Sequence, residues 1–558
     1  MFNRNMEFLG NLALKSRLTG ISIEDSKADM SYCMTTSNDY LLMKNDIPID
    51  DIDNPRQAIR KMLADSIKSE MGANDIIITF GIGLCYLLDE VYNAYPSKIY
   101  VYEPDIKLLH FVLNNVDISE HLASGRVFVS DKLDEIMQKL SETFISNDKV
   151  EIVYLKNYAL IKSQELIELT QKVYETCRTK LVDINTIKKY SKTWLMNTLK
   201  NISYINNSTA YKLSDLKNKF NGQTALILAA GPSLMENIEK IKANRNKYVV
   251  FAVNKVLRTL DANGIIPDFV VCLDAKEINS SFVGLDDFCR KTNCITDLYS
   301  DSAIFSKNFK RVFVSFSKND FVVKKLSEYN KIYCYENGGT ATAMAFVAAV
   351  KMGFSKIIFS GLDLALKNNI MYATGECVNK ISDKQIEVSN TIKNLIQIKS
   401  VTGDSVLTRE DYATFVQHFE ILIKELKVTS EIYNTTSFGA AINGIKNVKF
   451  DDIRLSSVST GTPFILGEIS PFKLHLEEWT KEELKMINEI ILLISKKAST
   501  TALVSSIVKS PLMYQYMQAD ILEILQNKMQ IDNSDEFIQK TKIAIKDIIN
   551  NLQNYKLI

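Results

Sequence analysis

No CxxC pair occurs in this 558-residue chain; its eight cysteines stand singly at 33, 85, 177, 272, 289, 294, 334 and 377. That spacing argues against a disulfide frame or a zinc site and fits reduced, mostly buried thiols. An excess of charge is missing too. With 67 Lys and Arg against 66 Asp and Glu the formal net charge is +1, so no global basic field points to nucleic acid. No apolar run reaches the length of a membrane span, and 1-MFNRNMEFLGNLALKSRL-18 lacks an apolar core adequate for a signal peptide. A chain this long exceeds one hydrophobic core. These features lead to the expectation of a soluble, cytoplasmic, multidomain protein.

The hydrophobic pattern divides the chain into four stretches. Residues 1–60 are mixed and polar and read as a small amino-terminal cap. Residues 61–186 read as a Rossmann-like α/β unit, with strands expected at 76–80, 98–104, 126–130 and 150–155. Residues 187–470 read as a doubly wound α/β domain led by an amphipathic linker helix at 187–202. Its strands are expected at 225–229, 248–253, 268–273, 311–316, 331–335 and 356–361, with a last one at 429–434. Helical patterns fill 233–243, 255–262, 340–352 and 410–426. Residues 471–558 read as three or four amphipathic helices.

Two glycine-bearing turns stand at strand ends in the central domain. The apolar run 225-ALILA-229 meets Gly231, Pro232 and Ser233, and Leu234, Ile238 and Ile241 follow at helical spacing. A strand, tight turn and helix start present backbone N–H groups to an anion. The lysine of a P-loop is lacking, because Ser233 is followed by Leu-Met-Glu, which disfavours Walker-type hydrolysis. In the second turn, Gly338, Gly339 and Thr340 open a small-residue helix that begins Ala341-Thr342-Ala343. Asn254 follows the 248–253 run, Asp274 follows 268–273 and Asp363 follows 356–361, so polar groups recur at one rim. Earlier in the chain, 80-FGIG-83 with Glu103 has the layout of a nucleotide-binding turn, but Tyr86 stands where a third glycine belongs; a plain α/β scaffold is the alternative. No metal set is evident: Asp286-Asp287 falls in a helix-like segment and Asp451-Asp452 in a polar turn.

The run AAGPSL, then FAVNK, PDFVVCLDA and NGGTATAMA…GFSKIIFSGLDLA resembles the motility-associated factor (Maf) flagellin glycosyltransferases. Behind them it is similar to bacterial sialyltransferases that use CMP-activated sugars. The likeness is close over about residues 190–450, while 74–155 looks like the Maf amino-terminal Rossmann unit and the tail matches only in being helical. It implies a sialyltransferase-like central domain and transfer of a nonulosonic acid, pseudaminic or legionaminic, from its CMP donor to Ser or Thr hydroxyls of flagellin, without cofactor or metal. Carried over by position, Gly231, Pro232 and Ser233 face the CMP portion. Asn254 and Asp274 contact nucleotide or sugar, and Gly338, Gly339 and Thr340 the phosphate and cytidine.

Two departures stand out. Ala230 replaces the Asn of the sialyltransferase turn, and 367-KNNIMYATGE-376 offers Tyr372 where relatives carry a histidine. The chain has four histidines, and His418 lies at helix spacing, read either as a packing residue or as a base. Departure of CMP builds charge on phosphate oxygens, which preorganised N–H donors stabilise; Tyr372, Lys276 or Lys367 can add hydrogen bonds. The acceptor hydroxyl needs a base, for which Asp363 and then Glu376 are the candidates, Asp363 being equally a structural cap. Polar groups of Asn434, Thr435, Thr436 and Gly439 are expected near the same rim, and 402-TGDSVLT-408 as an acceptor-side loop. The helical tail is read as packing or as a docking face for flagellin. Two other readings stay open: a pterin diphosphokinase-like enzyme using ATP and magnesium, which shares this central fold, and a non-catalytic flagellin- or sugar-binding factor.

Overall fold

The computed structural model describes residues 1–27, 29–276, 278–366, 395–454, 468–526 and 534–558. The chain folds as two compact units, Met1–Ile184 and Asn185–Ile558. A 45-residue helix, Ser163–Asn207, runs through the junction.

In the first unit β1 (Met30–Met34), β2 (Tyr40–Lys44) and β3 (Ile47–Pro48) make a small antiparallel sheet within the stretch expected as a cap. The strands β4 (Ile76–Phe80), β5 (Lys98–Tyr102), β6 (Val127–Ser130) and β7 (Val150–Tyr154) form a parallel sheet in the order β6-β5-β4-β7. The central strand β4 is apolar on both faces and wholly buried, as a strand covered by helices on each side must be.

The second unit is built on nine parallel strands: β8 (Tyr211–Lys212), β9 (Thr224–Leu228), β10 (Val249–Val253), β11 (Phe269–Cys272), β12 (Asn293–Asp297), β13 (Val312–Ser315), β14 (Lys356–Ser360), β17 (Glu431–Asn434) and β18 (Lys446–Asn447). Between β14 and β17 in the chain lies an antiparallel hairpin, β15 (Leu395–Lys399) with β16 (Ser405–Arg409). The large sheet runs β18-β17-β14-β9-β10-β11-β12-β13-β8. Side chains alternate between its faces. Leu226, Leu228, Val250 and Ala252 pack with Leu234, Ile238 and Ile241 on one side. Ala225, Ile227, Val249 and Phe251 pack with the Ala341–Met352 helix on the other. The tail helices Glu477–Ser495, Thr500–Ile507, Pro511–Gln526 and Ser534–Asn554 bury Trp479, Leu503, Met513 and Ile548 in the same cluster as the first face. No described helix is long and apolar enough to cross a membrane.

The sheet departs from expectation at four places, two of them the two-residue edge strands β8 and β18, which no apolar run marks. The segment at 331–335 is not a sheet strand; Tyr335 makes a single parallel bridge to Ser317. Its place is taken by β12, whose NCITD sequence hides a fully buried strand behind Asn293, Thr296 and Asp297. Apolar periodicity cannot reveal a strand whose buried positions are polar.

Candidate functional site

Because every strand of the large sheet is parallel, all its carboxyl ends share one rim. Gly231–Ser233 follows β9, Asn254 follows β10, Asp274 lies just beyond β11 and Asp363 just beyond β14. The connections after β9 and β14, which are neighbours, leave over opposite faces, and a reversal of this kind opens the crevice where α/β sheets bind ligands.

At this reversal the two loops are drawn tightly together. Gly231 N–H donates to the Gly361 carbonyl at 2.8 Å. A Cβ on Gly231 would collide with Asp363 and with Gly361 O, and one on Gly361 would collide with Ala229 O, so both positions must be glycine for the loops to touch. Ser233 N–H donates to Asp363 Oδ2 at 2.8 Å, and Ser233 Oγ–H donates to Asp363 Oδ1. The N–H groups of Leu234, Met235 and Glu236 bond back to Gly231, Pro232 and Ser233 carbonyls. The donors of this turn are therefore spent within the protein. Burial raises the pKa of Asp363, while its bonds to Ser233 and Thr436 pull the other way. Of its two readings, base or cap, these contacts are those of a cap.

The second turn is arranged differently. Asn337 Oδ1 accepts from Gly339 N–H at 3.1 Å, and its Nδ2 donates to Tyr299 Oη at 2.6 Å. Gly338 and Gly339 have φ of 66° and 73°. Thr340 caps the helix by accepting from Ala343 N–H. Ala341 and Thr342 are first-turn residues, whose N–H groups have no partner inside a helix. Ala341 also packs against the apolar clusters of both faces, which places the turn across the end of the sheet.

Asn254 and Asp274 are brought together: the buried Asn254 donates from Nδ2 to Asp274 Oδ2 at 3.3 Å, with Ser281 Oγ at 3.4 Å, while Asp274 is exposed. Tyr372, Glu376 and Lys367 lie outside the described residues.

Further groups stand at the rim, of which Asp297, Asn197 and Asn201 were not singled out by the sequence. His418 on the Glu410–Glu425 helix faces the second turn, its Nδ1 3.8 Å from where a Gly339 Cβ would stand. The sequence leaves it open between a packing residue and a base. Asp297, at the end of β12, is fully buried, and neither carboxylate oxygen has a well-formed hydrogen bond among the described residues. Burial first, then the Asp320 charge, push its pKa well above the carboxylate range; Asn337 and the Leu298 and Tyr299 N–H groups partly counter this. Asn197 and Asn201, on the long helix, clamp the adjoining loops through the carbonyls of Ala275, Leu298, Tyr299 and Ser300. Among the described residues no three His, Cys, Asp or Glu side chains cluster as a metal ion would require.

The glycine turn of the first unit is filled by the protein itself. A Cβ on Gly81 would lie 2.6 Å from the Tyr158 ring, and one on Gly83 2.9 Å from Asp50 Oδ2. Glu103, the residue that would take ribose hydroxyls, is fully buried and accepts from Tyr158 Oη–H, Asp105 N–H and Ile82 N–H. These contacts are those of a scaffold.

Comparison with known proteins bears on the whole chain and on its centre. A solved structure of a MAf glycosyltransferase from Magnetospirillum magneticum AMB-1 aligns with a TM-score of 0.61 and 14% identity, covering 100% of this chain and 96% of that one. The two share a fold, and its α/β class with a helical tail is the one expected from the sequence. A family model described as 6-hydroxymethylpterin diphosphokinase MptE-like matches residues 196–369. An uncharacterized protein of Treponema pallidum (strain Nichols) is 34% identical over 117 residues, 21% of this chain and 52% of that protein. The chain thus spans about half the length of this curated relative.

Proposed function

We propose that this protein is a glycosyltransferase of sialyltransferase type that moves a nonulosonic acid, pseudaminic or legionaminic, from its CMP-activated donor to Ser or Thr hydroxyls of flagellin in the cytoplasm. The observation that carries the reading is the fold shared over the full chain with a Maf glycosyltransferase, in a sequence that bears the AAGPSL and NGGTATA turns at the sheet's carboxyl rim.

In this reading the second turn receives the phosphate. Its helix start supplies N–H groups and the positive end of a dipole where charge develops as CMP leaves, with no reorganisation at the moment of reaction. Gly231, Pro232 and Ser233, locked by Asp363, form a stiff floor for the nucleotide. Asn254 and Asp274 contact nucleotide or sugar. His418, facing Gly339, donates a hydrogen bond to the departing phosphate. Glu376 remains the base candidate of the sequence and Tyr372 a hydrogen-bond donor to the leaving phosphate, while Asp363 acts by holding the floor. No cofactor or metal is invoked.

Incubating the protein with a CMP-nonulosonate and unmodified flagellin and measuring intact mass tests the transfer; an unchanged flagellin mass would leave a binding factor in its place. The Asn254→Ala variant is expected to bind CMP about tenfold more weakly by calorimetry, the worth of one good hydrogen bond. His418→Gln is expected to lower kcat about tenfold with little change in donor KM, because the lost bond forms with the leaving group.

The family-model match over residues 196–369 favours one other reading, a pterin diphosphokinase-like transferase using ATP and magnesium. Paired titrations decide between them. Binding of CMP without ATP supports sugar transfer, and the reverse supports diphosphate transfer.

A further inference from the structure

Asp297, the last residue of β12, is fully buried beside Asn337 and takes no part in the chemistry proposed above. The loop it opens is pinned firmly. Asn201 on the long helix donates to the Leu298 and Ser300 carbonyls, each at 2.8 Å, and Asp297 N–H donates to Ser300 Oγ at 3.2 Å. A carboxyl held in such a place without a well-formed hydrogen bond at either oxygen is costly, and a local cost of this kind marks a group that a site requires.

What Asp297 faces is the amide that holds the second turn. Asn337 is buried; its Oδ1 accepts from Gly339 N–H at 3.1 Å and its Nδ2 donates to Tyr299 Oη at 2.6 Å. The second hydrogen on Nδ2 is left for the Asp297 carboxyl, which it stabilises in the charged form. An amide turned over would set its NH₂ against Gly339 N–H, donor against donor, and its oxygen against the carboxyl. Asp297 therefore selects the one orientation in which Asn337 can hold Gly339. Gly338 and Gly339 both have positive φ and lead directly into the helix that begins at Ala341.

We infer that Asp297 is a positioning residue for the second turn: acting through the Asn337 amide, it keeps Gly339 N–H bonded and the first-turn N–H groups of Ala341 and Thr342 set for an anion. The inference rests on the glycosyl-transfer reading only for the identity of that anion, the phosphate of CMP. The titratable groups that face Asp297 are the Asp320 carboxyl at the head of the Phe321–Asn330 helix, the Cys334 thiol before the turn and Tyr299 on its own loop. Burial and then the Asp320 charge hold the carboxyl protonated well above the usual range. Once ionised, it places a negative charge beside the turn and opposes a phosphate there.

The test reads the turn of the full chain with and without CMP. Asp297→Val removes the carboxyl, and Asp297→Asn keeps an oxygen that accepts from Asn337. Hydrogen exchange followed by mass spectrometry should show the Gly339 amide exchanging about tenfold faster in the Val variant, the rest of the unit unchanged and the Asn variant like wild type. Calorimetry should show CMP bound about tenfold more weakly by the Val variant and normally by the Asn variant. The Val variant should melt no lower than wild type, because it loses a poorly satisfied buried acid; a purely structural role predicts the opposite. Between about pH 7 and 9.5 CMP affinity should fall several-fold in wild type and stay level in the Asn variant. Glu483→Gln, which removes another buried acid of the unit, should follow the wild-type profile. Should Asp297→Val not fold, Asp297→Ala takes its place. Unchanged exchange at Gly339 without the carboxyl, or a lowered melting temperature with uniformly faster exchange, overturns the inference even if CMP binds. Coincident pH profiles of wild type and the Asn variant overturn it too. Local loosening at Gly339 that the Asn variant restores upholds it even if CMP does not bind, in which case the nucleotide reading alone falls.

Discussion

Replacing Asp363 with alanine is expected to destabilise the second unit by about 2–5 kcal/mol. Ser233 is fully buried, and both its N–H and its hydroxyl donate to this carboxylate. Removing the acceptor orphans two buried donors, each worth about 1–3 kcal/mol. Asp363→Asn should cost less, since one amide oxygen still accepts while the NH₂ confronts a donor, and Ser233→Ala should cost only about 1 kcal/mol. The readout is clean because the two tryptophans, Trp194 and Trp479, both lie in the second unit. Tryptophan fluorescence in urea therefore follows that unit alone. The same series separates cap from base. A catalytic base predicts an Asn variant that melts like wild type and has lost turnover; a cap predicts loss of stability in the order Ala, Asn, Ser233→Ala. Wild-type stability in the alanine variant would sink the account of the locked turn.

Stability is expected to fall as pH rises from about 5 to 8. Burial raises Asp50 to about 7 from 3.8 and Glu103 to about 7 from 4.5 in the first unit, and Asp320 to about 6 from 3.8 and Glu483 to about 7 from 4.5 in the second. A carboxyl whose folded pKa lies above its unfolded one binds its proton more tightly in the native state. Its contribution is fully present below the unfolded pKa and is lost as pH climbs through the folded value. For Glu103 alone the loss is about 3 kcal/mol between pH 4 and 8. Glu135 works in the opposite direction. Held at about 2 mainly by its hydrogen bond from Arg17, it contributes stability above pH 4.5 that disappears as acid protonates it. The four raised carboxyls outweigh Glu135, so the melting temperature should fall steadily from pH 5 to pH 8. Circular dichroism melts at pH 5, 6, 7 and 8 check the profile, with tryptophan fluorescence isolating the second unit. Glu103→Gln should flatten the first unit's share while leaving the second unchanged. A melting temperature that rises steadily to pH 8 would contradict the burial of these acids.

The parts of the molecule legible in the sequence are those where local pattern and tertiary outcome coincide. Continuous apolar runs such as 225-ALILA-229 and 248-YVVFAV-253 meet the requirement of strands covered on both faces, so β9 and β10 stand where expected. The first glycine turn was visible because a strand, glycine and helix start occupy a dozen neighbouring residues; the second was visible from Gly338, Gly339 and the small-residue helix start alone, since 331–335 is not a sheet strand. The antiparallel sheet Met30–Pro48 was hidden in a stretch of mixed polarity, its outermost strand largely exposed.

What the sequence by itself determined is the alternation of strand and helix, the parallel sheet this implies, and the set of polar residues that end its strands. Only the tertiary structure decided how those residues are used. Ser233 and Asp363 are 130 positions apart, yet they saturate each other, while Asn434 is left with a buried oxygen and His418 is set against Gly339. The physical reason is that secondary structure follows from periodicity over a few residues. Whether a buried donor or acceptor is satisfied depends on partners that only chain packing brings within hydrogen-bonding distance.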